Sequence, residues 1–108
     1  MPTTPSIARI WRGRTLSGDA DSYEAYLREE GIPPLERTAL GVQLFREDRD
    51  ADTMFTTISY WADLEAMTAF TKGSPTKVHH LDRDPEFLIE LPDRIEINHI
   101  LIDEQGLR

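Results

Sequence analysis

Two adjacent histidines, His79 and His80, are the residues of this chain best suited to proton transfer. A free imidazole titrates close to neutral pH and can therefore act as a base in the cell. Adjacent side chains point in different directions on a helix or a strand, so at most one of the pair faces a pocket, and we favour His80 as the base. The alternative is that both lie on a solvated turn. His99 is a secondary candidate, because its apolar row with Ile95 and Ile97 is typical of a core or dimer-face histidine.

Aromatic and cationic side chains could form the walls of a pocket for a flat ligand. Trp11, Trp61 and Tyr60 each join an apolar ring to one polar N–H or O–H group. Arg9 lies between apolar neighbours on the same predicted strand as Trp11 and could donate hydrogen bonds to an anionic oxygen. Each also has a structural interpretation, since tryptophans pack in cores and alternating arginines often form ion pairs on a strand face.

An acidic segment follows the histidine pair. His80, Asp82, Asp84 and Glu86 alternate, and in an extended chain their side chains could hold a hard divalent cation. Pro85 interrupts the segment, so we interpret it as a solvated acidic turn and predict neither a metal nor any other cofactor. Phosphate-binding glycine loops, the G-x-S-x-G elbow and the H-E-x-x-H motif do not occur.

Composition narrows the possible partners. The 108 residues carry 20 acidic and 12 basic side chains, a net charge of −8, which argues against binding to nucleic acid. The absence of cysteine excludes disulfides and thiol nucleophiles. We expect a cytoplasmic protein without membrane association, because no run of membrane-spanning length and no secretory signal occurs. A single small domain leaves little room for a private pocket, so we also expect a homodimer.

The hydrophobic periodicity predicts six elements that would position these side chains. Strand and helix patterns follow one another along the chain, and a charged turn at 47–52 joins the second and third predicted strands. Gly31 and the following Ile-Pro-Pro are expected to end the first helix. The predicted elements are a strand at 6–15, a helix at 20–30, strands at 39–46 and 54–61, a helix from Asp63 to Lys72, and a strand at 94–102.

This order predicts an α+β, ferredoxin-like fold: a split β-α-β arrangement with an antiparallel four-stranded sheet and two main helices on one face. The clearest part is Ile58–Phe70, where a strand pattern passes directly into a helix that Asp63 can cap. We expect the other face of the sheet to expose apolar residues, among them members of the Val42 and Ile95 rows.

Three segments carry a family likeness. Residues 7–14 (IARIWRGR), 59–70 and 95–99 (IEINH) resemble the antibiotic biosynthesis monooxygenase family, whose members are dimeric α/β barrels. The likeness covers 6–102, flanked by a flexible N-terminal arm at 1–5 and a polar tail at 103–108. It implies that two copies pair through their sheets, and that the chain is a monooxygenase using neither metal nor flavin on small, electron-rich aromatic compounds such as polyketide anthrones.

Such an enzyme must make a substrate anion that can give one electron to molecular oxygen. That requires an apolar pocket, a base and hydrogen-bond donors aimed at the substrate oxygen. The alternative is a noncatalytic small-ligand-binding or accessory dimer of the same fold. Under the resemblance, His80 is the catalytic candidate, and the substrate-binding candidates are Trp11, Trp61, Tyr60, Arg9, Phe70 and His79.

A haem-degrading branch of the superfamily pairs a first-strand asparagine with a tryptophan and a histidine. The corresponding places here are Trp11, Phe70 and His80, so only the histidine matches. Haem degradation is therefore disfavoured, whereas His80 alone would permit haem binding as a third option.

Overall fold

The computed structural model describes residues 4–72 and 80–104. Four strands and four helices follow one another along these residues. A 3₁₀ turn precedes α1, and a π-helical turn joins α1 to α2. The elements are β1 (Ile7–Leu16), α1 (Ala20–Tyr26), the π turn (Leu27–Gly31), α2 (Ile32–Thr38), β2 (Gly41–Asp48), β3 (Asp52–Trp61), α3 (Leu64–Thr71), α4 (Asp84–Phe87) and β4 (Glu96–His99).

The four strands form one antiparallel sheet in the order β2-β3-β1-β4. In β1, Ile10 lies opposite Ile58 of β3 and Glu96 of β4, and Trp11 lies opposite Thr57. The sheet with helices on one face confirms the predicted ferredoxin-like fold. The β2–β3 hairpin is also confirmed, with a tighter turn at 49–51.

Side chains alternate between the two faces of the sheet, as the pleat requires. The odd-numbered residues of β1 and β3 point towards the helices and are buried, and the even-numbered residues lie on the open face. The expectation for Val42 and Ile95 is wrong. Val42 packs on the helix side opposite buried Ser59, and Ile95 is buried in the core, because the sheet register assigns these rows to the inner face.

The first helical stretch is longer than predicted. Gly31 does not end it: the backbone stays helical (φ −84°, ψ −42°) through the π turn and into α2. Pro33 and Pro34 then lie in the first turn of α2, where a missing N–H removes no helical hydrogen bond. The π turn thus allows two prolines to follow a helix without breaking it.

The predicted direct passage from a strand into a helix is present between β3 and α3. Asp63 caps α3, its Oδ1 accepting a hydrogen bond from the backbone N–H of Ala66 at 2.8 Å. The last strand, by contrast, is shorter than the predicted 94–102, since β4 ends at His99 and Leu101 is almost fully exposed.

The buried apolar residues form two clusters on the helix side of the sheet. The first lies under α1 and the π turn and consists of Trp11, Ala20, Tyr23, Leu27, Phe55, Leu88 and Ile95. The second lies under α2 and α3 and consists of Ile7, Leu35, Trp61 and Met67. On β1, Arg9 lies between Ile7 of the second cluster and Trp11 of the first.

Candidate functional site

A half-open cavity of about 260 Å³ lies where the two clusters meet. The sheet forms its floor through β1 and β3, and the π turn, α2, α3 and the segment before α4 form its walls. Tyr23 and Leu27 contribute to it from the first cluster and Leu35 from the second. The volume is slightly below the roughly 300–1,000 Å³ of pockets for drug-sized ligands, so it fits a compact ligand.

Four residues singled out in the sequence line this cavity together: Arg9, Trp11, Phe70 and His80. They come from β1, from α3 and from the segment preceding α4. Of the three other candidates, His79 lies outside the described residues.

Trp61 and Tyr60 are not brought into the cavity. Trp61 is 2% exposed behind its wall, where its ring packs on Phe70 and its indole N–H donates to Ser59 Oγ at 3.0 Å. Tyr60 lies on the open face of the sheet, and its hydroxyl donates to Gln43 Oε1 at 2.6 Å. A role for either side chain in contacting a ligand in this cavity is therefore not supported.

Arg9 places a buried cationic side chain at the cavity. The residue is 5% exposed, and its guanidinium lies 5.9 Å from the centre of the Phe70 ring. Burial lowers the pKa of Arg9 from its ordinary value, since leaving water disfavours the charged form. An arginine nevertheless remains protonated at physiological pH.

Trp11 supplies an unused hydrogen-bond donor. The residue is 8% exposed, and its indole Nε1 is buried with no hydrogen-bond partner among the described residues. Its ring lies directly over Gly13, where an added Cβ would come within 2.5 Å of the Trp11 ring carbon Cη2. Gly13 is therefore needed for this placement of the indole.

His80 stands at the mouth of the cavity and is exposed to solvent. Hydrogen bonds hold the segment that follows His80 against α1. The Asp84 side chain accepts two hydrogen bonds, one from the backbone N–H of Leu81 at 2.9 Å and one from the Tyr23 hydroxyl at 2.9 Å. Three residues further along α1, the Tyr26 hydroxyl accepts from the backbone N–H of Arg83 at 3.0 Å.

The interpretation of 80–86 as a solvated acidic turn is wrong for one residue. Asp82 and Glu86 are exposed, but Asp84 is 1% exposed because its carboxylate serves the two buried donors. Burial and the negative charge of Asp84 raise the pKa of Tyr23 far above its usual value, so Tyr23 stays a neutral donor. Within 4–72 and 80–104, no three histidine, aspartate or glutamate side chains converge as metal ligands would.

Sequence reasoning did not identify Tyr23, Asp84 or Gly31 as lining residues of a cavity. It considered Asp84 only as one of four cation ligands and Gly31 only as the end of a helix. The Asp84-Pro85-Glu86 run does carry a signal for a helix start, since proline favours the first turn and acidic residues its positive end. Nothing in the local sequence around Gly31 indicates a π turn.

Within the described ranges, no helix is both long and apolar enough to cross a membrane.

Comparison with known proteins supports the architecture. No family model matches the sequence, and no curated protein matches it. Among solved structures, one from Bacillus cereus described as a "putative antibiotic biosynthesis monooxygenase" superposes with a TM-score of 0.68 at 13% identity, covering 95% of this chain and all of that one. A protein of unknown function from Nitrosomonas europaea superposes with a TM-score of 0.64 at 15% identity, covering 98% and 99% of the two chains. At these identities the likeness is one of fold, and this chain has the ferredoxin-like α+β fold of both proteins.

Proposed function

We propose that this protein is a cofactor-independent monooxygenase for a small aromatic compound. The observation that carries the proposal is the cavity that Arg9, Trp11 and Phe70 line together, with His80 at its mouth. This set provides a cation, two aromatic side chains and a base around one cavity. The fold of the Bacillus cereus protein adds support at the level of architecture.

The chemistry requires that a substrate C–H or O–H give up a proton before oxygen reacts. His80 would take that proton, and the positive charge of Arg9 would stabilise the anion that remains. The anion transfers one electron to oxygen, and the two radicals combine to form a peroxide. For a methylene group between two rings, loss of water then leaves a carbonyl, so CH₂ and O₂ become C=O and H₂O without an external reductant.

The cavity walls suit this sequence of events. Leu27, Leu35 and Phe70 give the cavity an apolar lining, which would reduce the contact of the substrate anion with bulk water. In such surroundings the charge of Arg9 acts more strongly than it would in water. The protein's contribution is thus to create the anion and hold it where dissolved oxygen can reach it.

Oxygen consumption tests the proposal. We expect the purified protein to accelerate oxygen uptake by at least one member of a panel of anthrones and electron-rich phenols, with one O₂ consumed per substrate. Replacing a general base typically costs about 10²–10⁴-fold in rate, so His80→Ala should lower kcat by roughly a hundredfold or more. His99→Ala is the matched control, because His99 is an exposed histidine of β4 outside the cavity lining, and it should retain the wild-type rate.

A noncatalytic ligand-binding dimer is the second candidate, and the exposure of His80 favours it. A base in contact with water is less able to protect a reactive anion. If aromatic compounds bind but oxygen uptake never exceeds the protein-free rate, and His80→Ala changes nothing, the oxygenase proposal is wrong and the binding function stands.

Haem is not a good fit to the cavity. The first-strand place is filled by the buried Trp11 ring, the second place holds Phe70, and the hollow of about 260 Å³ is small for a macrocycle. We therefore expect this cavity not to bind haem, and no Soret band to appear after haem addition.

A further inference from the structure

Several polar groups that line the cavity are already engaged or enclosed by the protein. The Tyr23 hydroxyl donates to Asp84, and the second oxygen of that carboxylate accepts from a backbone N–H. The indole N–H of Trp11 is fully enclosed, and Arg9 has interactions of its own. These groups therefore offer little that could distinguish one neutral ligand from another.

Thr57 differs from the other buried threonines of the described residues. Thr53 and Thr71 each donate their hydroxyl to an oxygen of the protein, and the Thr15 hydroxyl is fully enclosed. Thr57 is 7% exposed, and its hydroxyl has no hydrogen-bond partner within the described part of the chain, yet it is not enclosed. A nearly buried hydroxyl thus keeps its hydrogen-bonding capacity for another molecule.

The position of Thr57 directs that capacity to the floor of the cavity. Thr57 belongs to the helix-facing row of β3 and lines the cavity, opposite Trp11 of β1 and Leu44 of β2. A hydroxyl both donates and accepts, so it can pair with a neutral O–H group. A ligand that fills the cavity takes this hydroxyl out of water, and an apolar edge placed against it leaves it unpaired.

The polar residues at the mouth of the cavity are in a different environment. Glu30 and His80 line the cavity but are exposed, so water competes with a ligand for their hydrogen bonds. At a nearly buried hydroxyl this competition is weak, and a site that hydrogen-bonds a ligand O–H rejects the analogue that lacks it. Discrimination between neutral ligands should therefore concentrate at Thr57.

We propose that Thr57 determines the specificity of this cavity: it hydrogen-bonds a neutral hydroxyl of a compact aromatic ligand and selects that ligand over a hydrocarbon of the same shape. The ligand's hydroxyl points to the floor, and the opposite edge of its ring faces the mouth and His80. This inference rests on the proposed aromatic-binding function and adds the orientation of the ligand to it.

A comparison of 1-naphthol with 1-methylnaphthalene tests this contact, because a methyl group in one compound replaces the hydroxyl of the other. Both are neutral at pH 7. The backbone amide shifts of Leu27 and Gly31, which line the cavity, give the affinity of each compound in NMR titrations. In the unmodified chain, the Thr57 methyl resonance should move together with these amides as 1-naphthol binds.

Thr57→Val replaces the hydroxyl by a methyl group and keeps the β-branched shape that suits a strand. We expect it to lower the ratio of the 1-naphthol affinity to the 1-methylnaphthalene affinity by about fivefold or more, since one neutral hydrogen bond is lost. Comparing the ratios cancels the different hydration of the two compounds. Thr57→Ser retains a hydroxyl and should keep the ratio within about twofold of the unmodified chain.

Thr56→Val is the matched control. Thr56 is the preceding residue of β3 and lies on the open face of the sheet, so the same chemical change is made outside the cavity. The affinity ratio of this variant should stay within about twofold of that of the unmodified chain.

The outcomes separate this inference from the proposed function. If both compounds shift the Leu27 and Gly31 amides but Thr57→Val leaves the affinity ratio unchanged, Thr57 does not select the ligand, while aromatic binding survives. The same conclusion follows if the Thr57 methyl resonance stays fixed as 1-naphthol binds. If neither compound shifts those amides, the inference and the aromatic-binding function both fail.

Discussion

At the residue scale, one buried carboxylate positions part of the site. Asp84 accepts from the backbone N–H of Leu81 and from Tyr23 of α1, and so helps to determine where the segment after His80 lies. This is a positioning contact, because each of its two oxygens accepts a hydrogen bond from the protein itself.

Asp84→Ala removes the acceptor of two hydrogen bonds, one from the backbone N–H of Leu81 and one from the Tyr23 hydroxyl. Tyr23 is fully buried, so water cannot replace the lost acceptor there. Each unsatisfied donor costs about 1–3 kcal/mol, so we expect the free energy of unfolding to fall by about 3 kcal/mol. Asp84→Asn should lose less, because its amide oxygen can still accept from Leu81 and the Tyr23 hydroxyl can rotate to accept from the amide group. Urea denaturation measures both.

Asp82→Ala serves as the control, since Asp82 is an exposed aspartate in the same segment and should change the free energy of unfolding by no more than about 0.5 kcal/mol. Equal losses for Asp82→Ala and Asp84→Ala would contradict a specific role for the buried carboxylate.

At the residue scale, the alternation of side chains along a strand is what the sequence predicts best. Arg9 and Trp11 share a strand face and both line the cavity, and their roles in binding stay predictions. Tyr60 and Trp61 are adjacent and must point to opposite faces, so they could not both reach one pocket. The burial of Asp84 depends on Tyr23, 61 residues away, and local sequence contains no trace of that contact.

At the scale of elements, the π turn contributes Leu27 and Gly31 to the lining of the cavity. Gly31 ends this turn and lines the hollow, and a Cβ at that position would lie 3.1 Å from Leu27 Cδ2 and 3.3 Å from Leu81 Cδ1. A π turn inside a helical stretch is often found at functional sites. The absence of a side chain at Gly31 therefore leaves room for the two leucines.

Gly31→Ala tests this role. The backbone there is helical, so alanine brings a helix-propensity gain of up to about 1 kcal/mol, which the contacts with Leu27 and Leu81 offset in part. We expect the methyl resonances of both leucines to shift and 1-naphthol to bind more weakly.

Gly18→Ala is the matched control, because a Cβ at Gly18 would meet nothing within 4 Å. It should leave the leucine methyl resonances and the affinity unchanged. If Gly31→Ala behaves in the same way, Gly31 does not control the size of the cavity.

Elements were predictable where caps and periodicity agree, as at Asp63 and α3. They were not predictable between 27 and 38, because a glycine followed by two prolines normally ends a helix. Here the backbone passes through a π turn into α2, and the local sequence does not indicate that turn. The short α4 had too few residues for any period to emerge.

At the scale of the whole molecule, the open face of the sheet predicts self-association. Phe45 is 48% exposed there, and Ile10, Met54 and Ile58 are only partly covered. Ion pairs border this apolar area, among them Arg14 with Asp52 at 3.0 Å. A second copy of the chain, presenting the same apolar centre and charged margin, would complement it.

We expect a homodimer at micromolar concentration in sedimentation velocity. Ile58→Glu places a charge in the middle of the open face and should yield monomers, because burying an unpaired carboxylate opposes association. Leu64→Glu introduces the same charge at an exposed residue of α3, on the helix side of the sheet, and this variant should remain dimeric. A wild-type chain that sediments as a monomer would refute this arrangement.

The position of the cavity between the two clusters has a consequence for stability. The cluster under α1 and the cluster under α2 and α3 share the strands β1 and β3, and Ile97 packs against both. An occupant touching Tyr23 on one side and Leu35 on the other would add contacts between them. Because such an occupant binds the folded chain and not the unfolded one, its capture would raise the free energy of unfolding.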